Sequence, residues 1–560
     1  VKTLHFWTRL FIIAIVAVVL FSSAAPVFAA PPINWDKLDP ALAAALKAQP
    51  GKTFPIIVEA GLPNDKSPST GAKRASEAVD HIRAAGGRAR NQLAIIGGSS
   101  AQGNWDAIAK LSHNGRVRKI SLDRVISASG PMQAPGGLAS VYTQVVRAPE
   151  VWAMGYIGRG VGIAILDSGV YAANDIGGRM IARVDLVDAT VNQGDPGGHG
   201  THVAGIAAGN GMDSTTNTNG MYKGIAPGAN IISVRVINNR GQALASTVIR
   251  GIQWVVQNRN TYNIRVLNVS LGSLAQASYK DDPVVTAAEV AWHSGILVVS
   301  AAGNRGPAPS KIDSPGIDPY SVTVGALDDN MTVVTSDDVI ASFSSRGPTP
   351  DNFAKPDLVA PGRKIIALRS PNSYLVGTLT DRDALTTGGV KYFRLSGTSQ
   401  ATPVVSGVAA LMLEKNPSLK PNQLKYILKN TARPLAGVPV NTGGRGVVDA
   451  YAAATSNLSG LDNQGLRPTD SFAVNVYPLV QGQPLVWKDP YYMGINWSNL
   501  SWDNLSWDNL SWDNLSWDNL SWDNLSWDNL SWDNLSWDAT SSWDSIWSSS
   551  EAWQSIMDLD

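Results

Sequence analysis

Val161–Val170 reads VGIAILDSGV, and this stretch decides the fold. Six almost wholly apolar residues run into a carboxylate, Asp167, followed by Ser168 and Gly169. So short and apolar a run suits a strand covered on both faces, as in the middle of a parallel sheet. The signature recurs in IISVRVI (Ile231–Ile237), IRVLNVS (Ile264–Ser270), GILVVSAA (Gly295–Ala302) and SVTVGA (Ser321–Ala326). Helical patterns separate these runs, notably ASTVIRGIQWVVQNR from Ala245 and PVVTAAEVAWHSG from Pro283. The alternation predicts a doubly wound α/β domain with a mostly parallel sheet over residues 139–455. Sheets of this kind bind ligands at the carboxyl ends of their strands, where Asp167 stands. A carboxylate there is costly to bury unless it is hydrogen bonded or paired.

Residues 31–138 read as a smaller α+β unit. TFPIIVEA (Thr53–Ala60) is strand-like, Lys73–Gly87 has helical spacing, and RARNQLAIIGG (Arg88–Gly98) reads as a strand. NWDAIAKLSHNG (Asn104–Gly115) reads as a capped helix and VRKISLDRVIS (Val117–Ser127) as a closing strand. SGPMQAPGG (Ser129–Gly137) separates this unit from the next. Ahead of it, Lys2 and Arg9 precede twelve apolar residues, Leu10–Phe21, and then small residues to Ala30. This is the pattern of a secretory signal peptide over residues 1–30; the apolar run is short for a membrane span of about 20 residues.

The 560 residues have room for about three or four domains. Net charge is zero, which suggests no polyanion partner and no nucleic acid, but its distribution is uneven. Trp497–Asp560 holds twelve acidic and no basic residues, leaving the rest of the chain at +12. No cysteine is present, so disulfides and thiolate metal sites are excluded. Residues 456–496 read as a linker or small unassigned region. In the tail, 497–560, tryptophan recurs every five residues from Trp497 to Trp537, mostly as SWDNL. A period of five places successive residues about 140° apart on a helix, so no single face forms. A row of aspartates argues against a buried pentapeptide solenoid. The tail reads as either a segment for a cell-wall or surface partner or a slippage-expanded repeat.

Of six histidines, only His199 and His202, in GGHGTHVAGIAAG, lie among glycines that let other backbone approach. The pair could suggest a metal, but no third ligand follows with zinc spacing. Ser399 stands in GTSQATPVVSG, where it could simply cap a helix. Asp167 or Asn304, taken alone, could be a turn residue. Together ILDSGV, GHGTHVAG and GTSQATP resemble the three catalytic boxes of the subtilisin-like serine proteases, the subtilase family (peptidase S8), in that family's order. AAGNRG, with Asn304, matches a fourth. The resemblance spans roughly Val141–Thr455, and the first unit resembles the family's inhibitor propeptide in size, position and β-α-β-β-α-β order.

The resemblance implies a secreted serine endopeptidase made as an inactive precursor. Ser399 would be the nucleophile, His199 its base and Asp167 the residue orienting His199. Asn304 and the Ser399 N–H would form the oxyanion hole, with Thr398 adding a weaker contact. NVSLGS would pair with substrate backbone; Ser270, Leu271 and Gly272 would line one wall of the specificity pocket, and Ala301, Ala302 and Gly303 the other. Pro403 is expected to be tolerated through its nearness to the helix's first turn. His202 is expected to pack rather than act as a second base. Partners would be polypeptide substrates and the chain's own propeptide, released by a cut between Ser127 and Gly137. No catalytic cofactor is implied. Structural calcium occurs in the family, and the loop GNGMDSTTNTNG (Gly209–Gly220), with Asp213, could supply oxygen ligands. Gln400 and Val404 stand where many relatives have Met and His. A rival reading makes the α/β domain an unused scaffold for a surface-binding tail. An esterase would instead expect Gly-x-Ser-x-Gly, which Ser399 lacks.

Overall fold

The computed structural model describes residues 32–61, 71–128, 140–187, 194–214, 222–386, 389–466 and 468–469. The expected signal peptide, much of the expected linker and the tryptophan repeat lie outside them.

The large domain is built on a sheet in which six consecutive strands are all parallel. Their spatial order is Met180–Asp185, Asn230–Arg235, Gly162–Asp167, Ile264–Val269, Leu297–Ala301 and Val322–Asp328. Leu358–Pro361 joins the last strand in parallel, and Val339–Ile340 pairs with it antiparallel. The apolar runs are these strands, and Gly162–Asp167, Leu297–Ala301 and Val322–Asp328 are buried at every position. From Gly162–Asp167 the chain winds one way along the sheet, then crosses back to Ile264–Val269 on the other side. Asp167 thus ends the strand at which the winding reverses, where open α/β sheets bind ligands.

Two mutually packed helices, Ala245–Asn258 and Pro283–His293, cover the sheet. The His199–Ala208 helix packs against Thr398–Lys415, which runs beneath the central strands. Both are buried almost end to end, which explains their near-continuous apolar and small residues.

The first unit has a four-stranded antiparallel sheet in the order Arg88–Leu93, Gly98–Gly103, Phe54–Ala60, Val117–Leu122. RARNQLAIIGG is a strand only to Leu93; a turn of 3₁₀ helix, Ala94–Ile96, precedes the separate strand Gly98–Gly103. The expected closing strand is also two pieces. Val117–Leu122 stays in this sheet, but Val125–Ala128 leaves it for the large domain. The break falls at Asp123, whose carboxylate accepts from the Ser246 N–H at 2.9 Å and its hydroxyl at 2.6 Å. Next to it, the half-buried Arg124 pairs with Asp282 and donates to Ser314 Oγ at 3.0 Å. Ile57, Leu93, Ile95, Ile96 and Ile126 belong to the same buried cluster as the large domain's strands, so the two units share a core.

Between Thr455 and Thr469 the described residues stay on the large domain. Lys429 pairs with Asp462 at 2.8 Å, Tyr320 OH donates to Leu466 O at 2.5 Å, and Thr469 N–H donates to Glu289 Oε2 at 2.8 Å.

Candidate active site

Asp167 finds its partner in His199. The Asp167 carboxylate lies 2.8 and 2.9 Å from His199 Nδ1, and both residues are buried. An ionised carboxylate only accepts hydrogen bonds, so Nδ1 carries the proton and Nε2 keeps a lone pair for use as a base. Small residues permit the approach. A Cβ on Gly200 would overlap Gly169 O and stand 3.0 Å from Asp167 Cβ. Gly198, which opens the helix, has φ +95°, a conformation that favours glycine.

Ser399 is the second residue of the Thr398–Lys415 helix, so its N–H is one of the first-turn groups that the helix leaves unused. Its Oγ donates to Ser270 O at 2.9 Å, and Ser270 Oγ donates back to Ser399 O at 2.9 Å. Pro403 explains the second bond. It is the sixth helical residue, just past the first turn, and it has no N–H for the carbonyl four residues back. That carbonyl belongs to Ser399, and the Ser270 hydroxyl takes the missing donor's place. Asn268 Nδ2 holds Ser270 Oγ at 2.9 Å, and Ser406 Oγ holds Asn268 Oδ1 at 2.9 Å. The serine helix is thereby tied to the end of the strand next to Asp167.

Asn304 follows the strand Leu297–Ala301. Its Oδ1 accepts from the Thr398 N–H and hydroxyl, each at 2.9 Å, while Thr398 Oγ accepts from the Gly303 N–H at 3.1 Å. With the carbonyl end of the amide committed, the donor end is directed elsewhere. Thr398 therefore acts on Asn304.

The expected pocket residues lie on two neighbouring segments. Ser270–Gly272 leads into the strand Leu271–Leu274, and Ala301–Gly303 leaves Leu297–Ala301. The short strand Asp313–Ser314 links them, pairing with Ser273 and Leu274 and bonding to Ala302 O through the Asp313 N–H at 2.9 Å. A Cβ at Gly303, where φ is +102°, would press on the Asp313 carboxylate. Leu271 and Ala302 point into buried apolar clusters.

Val125–Ala128 lies antiparallel between the edges of Leu271–Leu274 and Gln242–Leu244. Ser127 stands opposite Gly272, and Ala128 opposite Leu271. Ile126 is fully buried there. Three further residues, assigned no role from the sequence, brace the His199 helix: Asp195, and Ser168 and Thr201 from within the ILDSGV and GHGTHVAG boxes. His202 is buried one turn after His199, its Nε2 at 2.9 Å from Phe393 O and 3.2 Å from Ile365 O. Two carbonyls demand an N–H there, and burial lowers its pKa to about 3.

Of the loop Gly209–Gly220, residues 215–220 lie outside the described residues. Asp175, beside it, accepts from the N–H groups of Asp213 and Gly211 and from Tyr392 OH, and Asp213 Oδ1 accepts from Asn174. These carboxylates are committed to protein donors. Among the described residues no group of three or more His, Cys, Asp or Glu could hold a metal ion. No described helix is long and apolar enough to cross a membrane.

An imidazole oriented by a strand-end carboxylate, with a serine hydroxyl at a helix start and an edge strand for a peptide, is equipment for acyl transfer. Residues 158–462 match the model of the subtilase family, and the chain belongs to that family of serine endopeptidases. It is 41% identical to the serine protease AprX of Bacillus subtilis over 61% of this chain and 75% of that protein. With subtilisin E of the same species it shares 30% identity over 68% of this chain and 87% of that protein. Fervidolysin of Fervidobacterium pennivorans, a keratinolytic enzyme related to subtilisin, has the same fold, with a TM-score of 0.54 at 24% identity. That match covers 74% of this chain and 62% of fervidolysin. Chemistry in this family takes no catalytic cofactor.

Proposed function

We propose that the chain is the precursor of a secreted endopeptidase that cleaves polypeptides through an acyl-enzyme on Ser399. His199 Nε2 takes the Ser399 proton as Oγ attacks the scissile carbonyl, then gives it to the leaving amine. Asp167 keeps the proton on Nδ1 and stabilises the imidazolium. The Asn304 amide and the Ser399 N–H receive the oxyanion. Water, deprotonated by the same nitrogen, then releases the acyl group. The Asp167–His199 contact at 2.8 Å carries this reading. Secretion rests on the leader-like residues 1–30, and structural calcium would draw on the loop around Asp213.

The first unit is the precursor's own inhibitor. Its strand Val125–Ala128 fills the groove between two edges as a substrate would. A substrate strand in this register has its next residue opposite Ser270, whose carbonyl receives Ser399 Oγ. For the chain itself that residue is Ser129, so self-cleavage falls between Ser129 and Gly130.

The test is intact mass and casein hydrolysis for wild type and Ser399→Ala, expressed without residues 1–30. Wild type should shed the first unit and digest casein, and the variant should do neither. Two full-length, inert proteins would refute the proposal and favour the scaffold reading.

A further inference from the structure

We propose that Asp195 is a positioning residue for catalysis: its carboxylate locks the first turn of the His199 helix to the end of the Asp167 strand. This rests on the triad reading above.

The His199–Ala208 helix begins at Gly198, which has no side chain to cap it. The first N–H groups of a helix need acceptors from elsewhere. Asp195, four residues before His199 and 1% exposed, supplies them. Its Oδ1 accepts from the Gly198 N–H and from Ser168 Oγ, both at 2.7 Å. Its Oδ2 accepts from the Thr201 N–H at 2.8 Å and from Thr201 Oγ at 2.6 Å. Ser168 Oγ in turn accepts from the Gly200 N–H at 3.0 Å. The Ser168 N–H donates at 2.7 Å to Asp167 Oδ1, the oxygen that faces His199 Nδ1 at 2.8 Å. A closed circuit results: His199 helix, Asp195, Ser168, Asp167, His199. The Asp195 carbonyl extends it by accepting from Ser370 Oγ at 2.7 Å.

The donor set requires the carboxylate form. Burial raises this carboxyl above its ordinary value and the donors oppose that, but a proton on either oxygen would face a donor. Asparagine cannot substitute. Whichever way its amide turns, the NH2 group meets a backbone N–H, of Gly198 or of Thr201. A hydroxyl can rotate away from such a clash and a backbone N–H cannot, so the first turn must shift and take His199 with it. A misplacement of about 1 Å at a reacting group costs about 10² in rate.

The test compares wild type, Asp195→Asn and Ser168→Ala. Active sites are counted with a serine-directed phosphonyl fluoride, so that misfolded molecules drop out of kcat. The expected kcat per titrated site falls about 10²-fold for Asp195→Asn and about tenfold for Ser168→Ala, with KM within about threefold of wild type. The low-field Nδ1 proton resonance of His199 should move in both variants. A merely structural role would lower Tm while leaving kcat, KM and that resonance in place, and this result would overturn the proposal. If Asp195→Asn does not fold, Ser168→Ala decides by the same readouts, because it breaks the circuit without removing the charge. Failure of the triad reading looks different: wild type itself would not titrate, and the proposal would fall with it.

Discussion

Replacing Asn304 with alanine separates two tasks that one amide performs. Its donor end is assigned to the oxyanion, and its Oδ1 receives the Thr398 N–H and hydroxyl at 2.9 Å. Losing one oxyanion donor costs about 10²–10³ in turnover, roughly 2.7–4 kcal/mol, a range whose type case is itself a subtilisin. The bond forms fully only as charge develops, so kcat should carry the loss while KM moves little. Alanine also removes the acceptor. The Thr398 hydroxyl can turn elsewhere, but its N–H cannot, and a buried unsatisfied donor costs about 1–3 kcal/mol. For a domain this large, each kcal/mol lowers Tm by roughly 2–4 °C. Asn304→Asp keeps the acceptor and loses the donor, so it should lose turnover without that loss of stability. The assay is kcat and KM on a peptide amide, normalised to titrated active sites. Tm is measured in a Ser399→Ala background to suppress autolysis. If Asn304→Ala keeps kcat within about threefold of wild type, Asn304 does not serve the oxyanion. If its Tm is also unchanged, the Thr398 contact carries no stability either.

Edman sequencing of the matured enzyme should begin at Gly130; a start at least two residues away would refute the register drawn from Ser127 opposite Gly272. The first unit supplied in trans should inhibit the mature enzyme, and Ile126→Ala should weaken it about 30-fold or more, the equivalent of about 2 kcal/mol from emptying a buried site. Equal inhibition by both forms would mean that Ile126 is not seated there. Burial holds His202 and His293 near a pKa of about 3. Below about pH 6.5 the unfolded chain binds protons that the folded one excludes, so stability is full above that pH. It falls by about 1.4 kcal/mol per pH unit for each histidine as pH drops towards about 3. In Ser399→Ala protein, urea unfolding between pH 7 and 4 should show this slope, and His293→Gln should remove about one proton's worth; an unaltered slope would refute the assignment.

Burial on both faces made the sheet readable. Strands such as Gly162–Asp167 have no solvent side, so their sequence is apolar throughout and stands out from the amphipathic helix Ala245–Asn258. The reading was coarser in the first unit. The expected strand Arg88–Gly98 ran on past Leu93 because the Ala94–Ile96 turn is as apolar as a strand, and the separate strand Gly98–Gly103, GSSAQG, has no apolar run to mark it. The split at Asp123 was invisible for another reason. What bends the chain there is Ser246, more than a hundred residues away, and no local pattern encodes a distant donor.

The same distinction separates the triad from its support. Asp167, His199 and Ser399 each sit in a short segment whose small residues serve close backbone approach, so each leaves a local mark. Asp195 leaves none: in GDPGG it reads as any turn aspartate. Its importance comes from convergence of donors that lie between 27 residues before it and 6 after it, including Ser168. Pro403 teaches the converse. Its place was legible, but the reason it is tolerated was not, because that reason is the Ser270 hydroxyl, 129 residues from the carbonyl it serves. Residues that react can be found by motif, whereas those that hold them need the fold. The consequence is practical. A scaffold that had lost catalysis could keep all four boxes by descent, Ser168 among them, but it would have no reason to keep Asp195 and Ser270 in register around them. Kinetic loss in Asp195→Asn therefore tests whether this chain is used as an enzyme more sharply than a motif can.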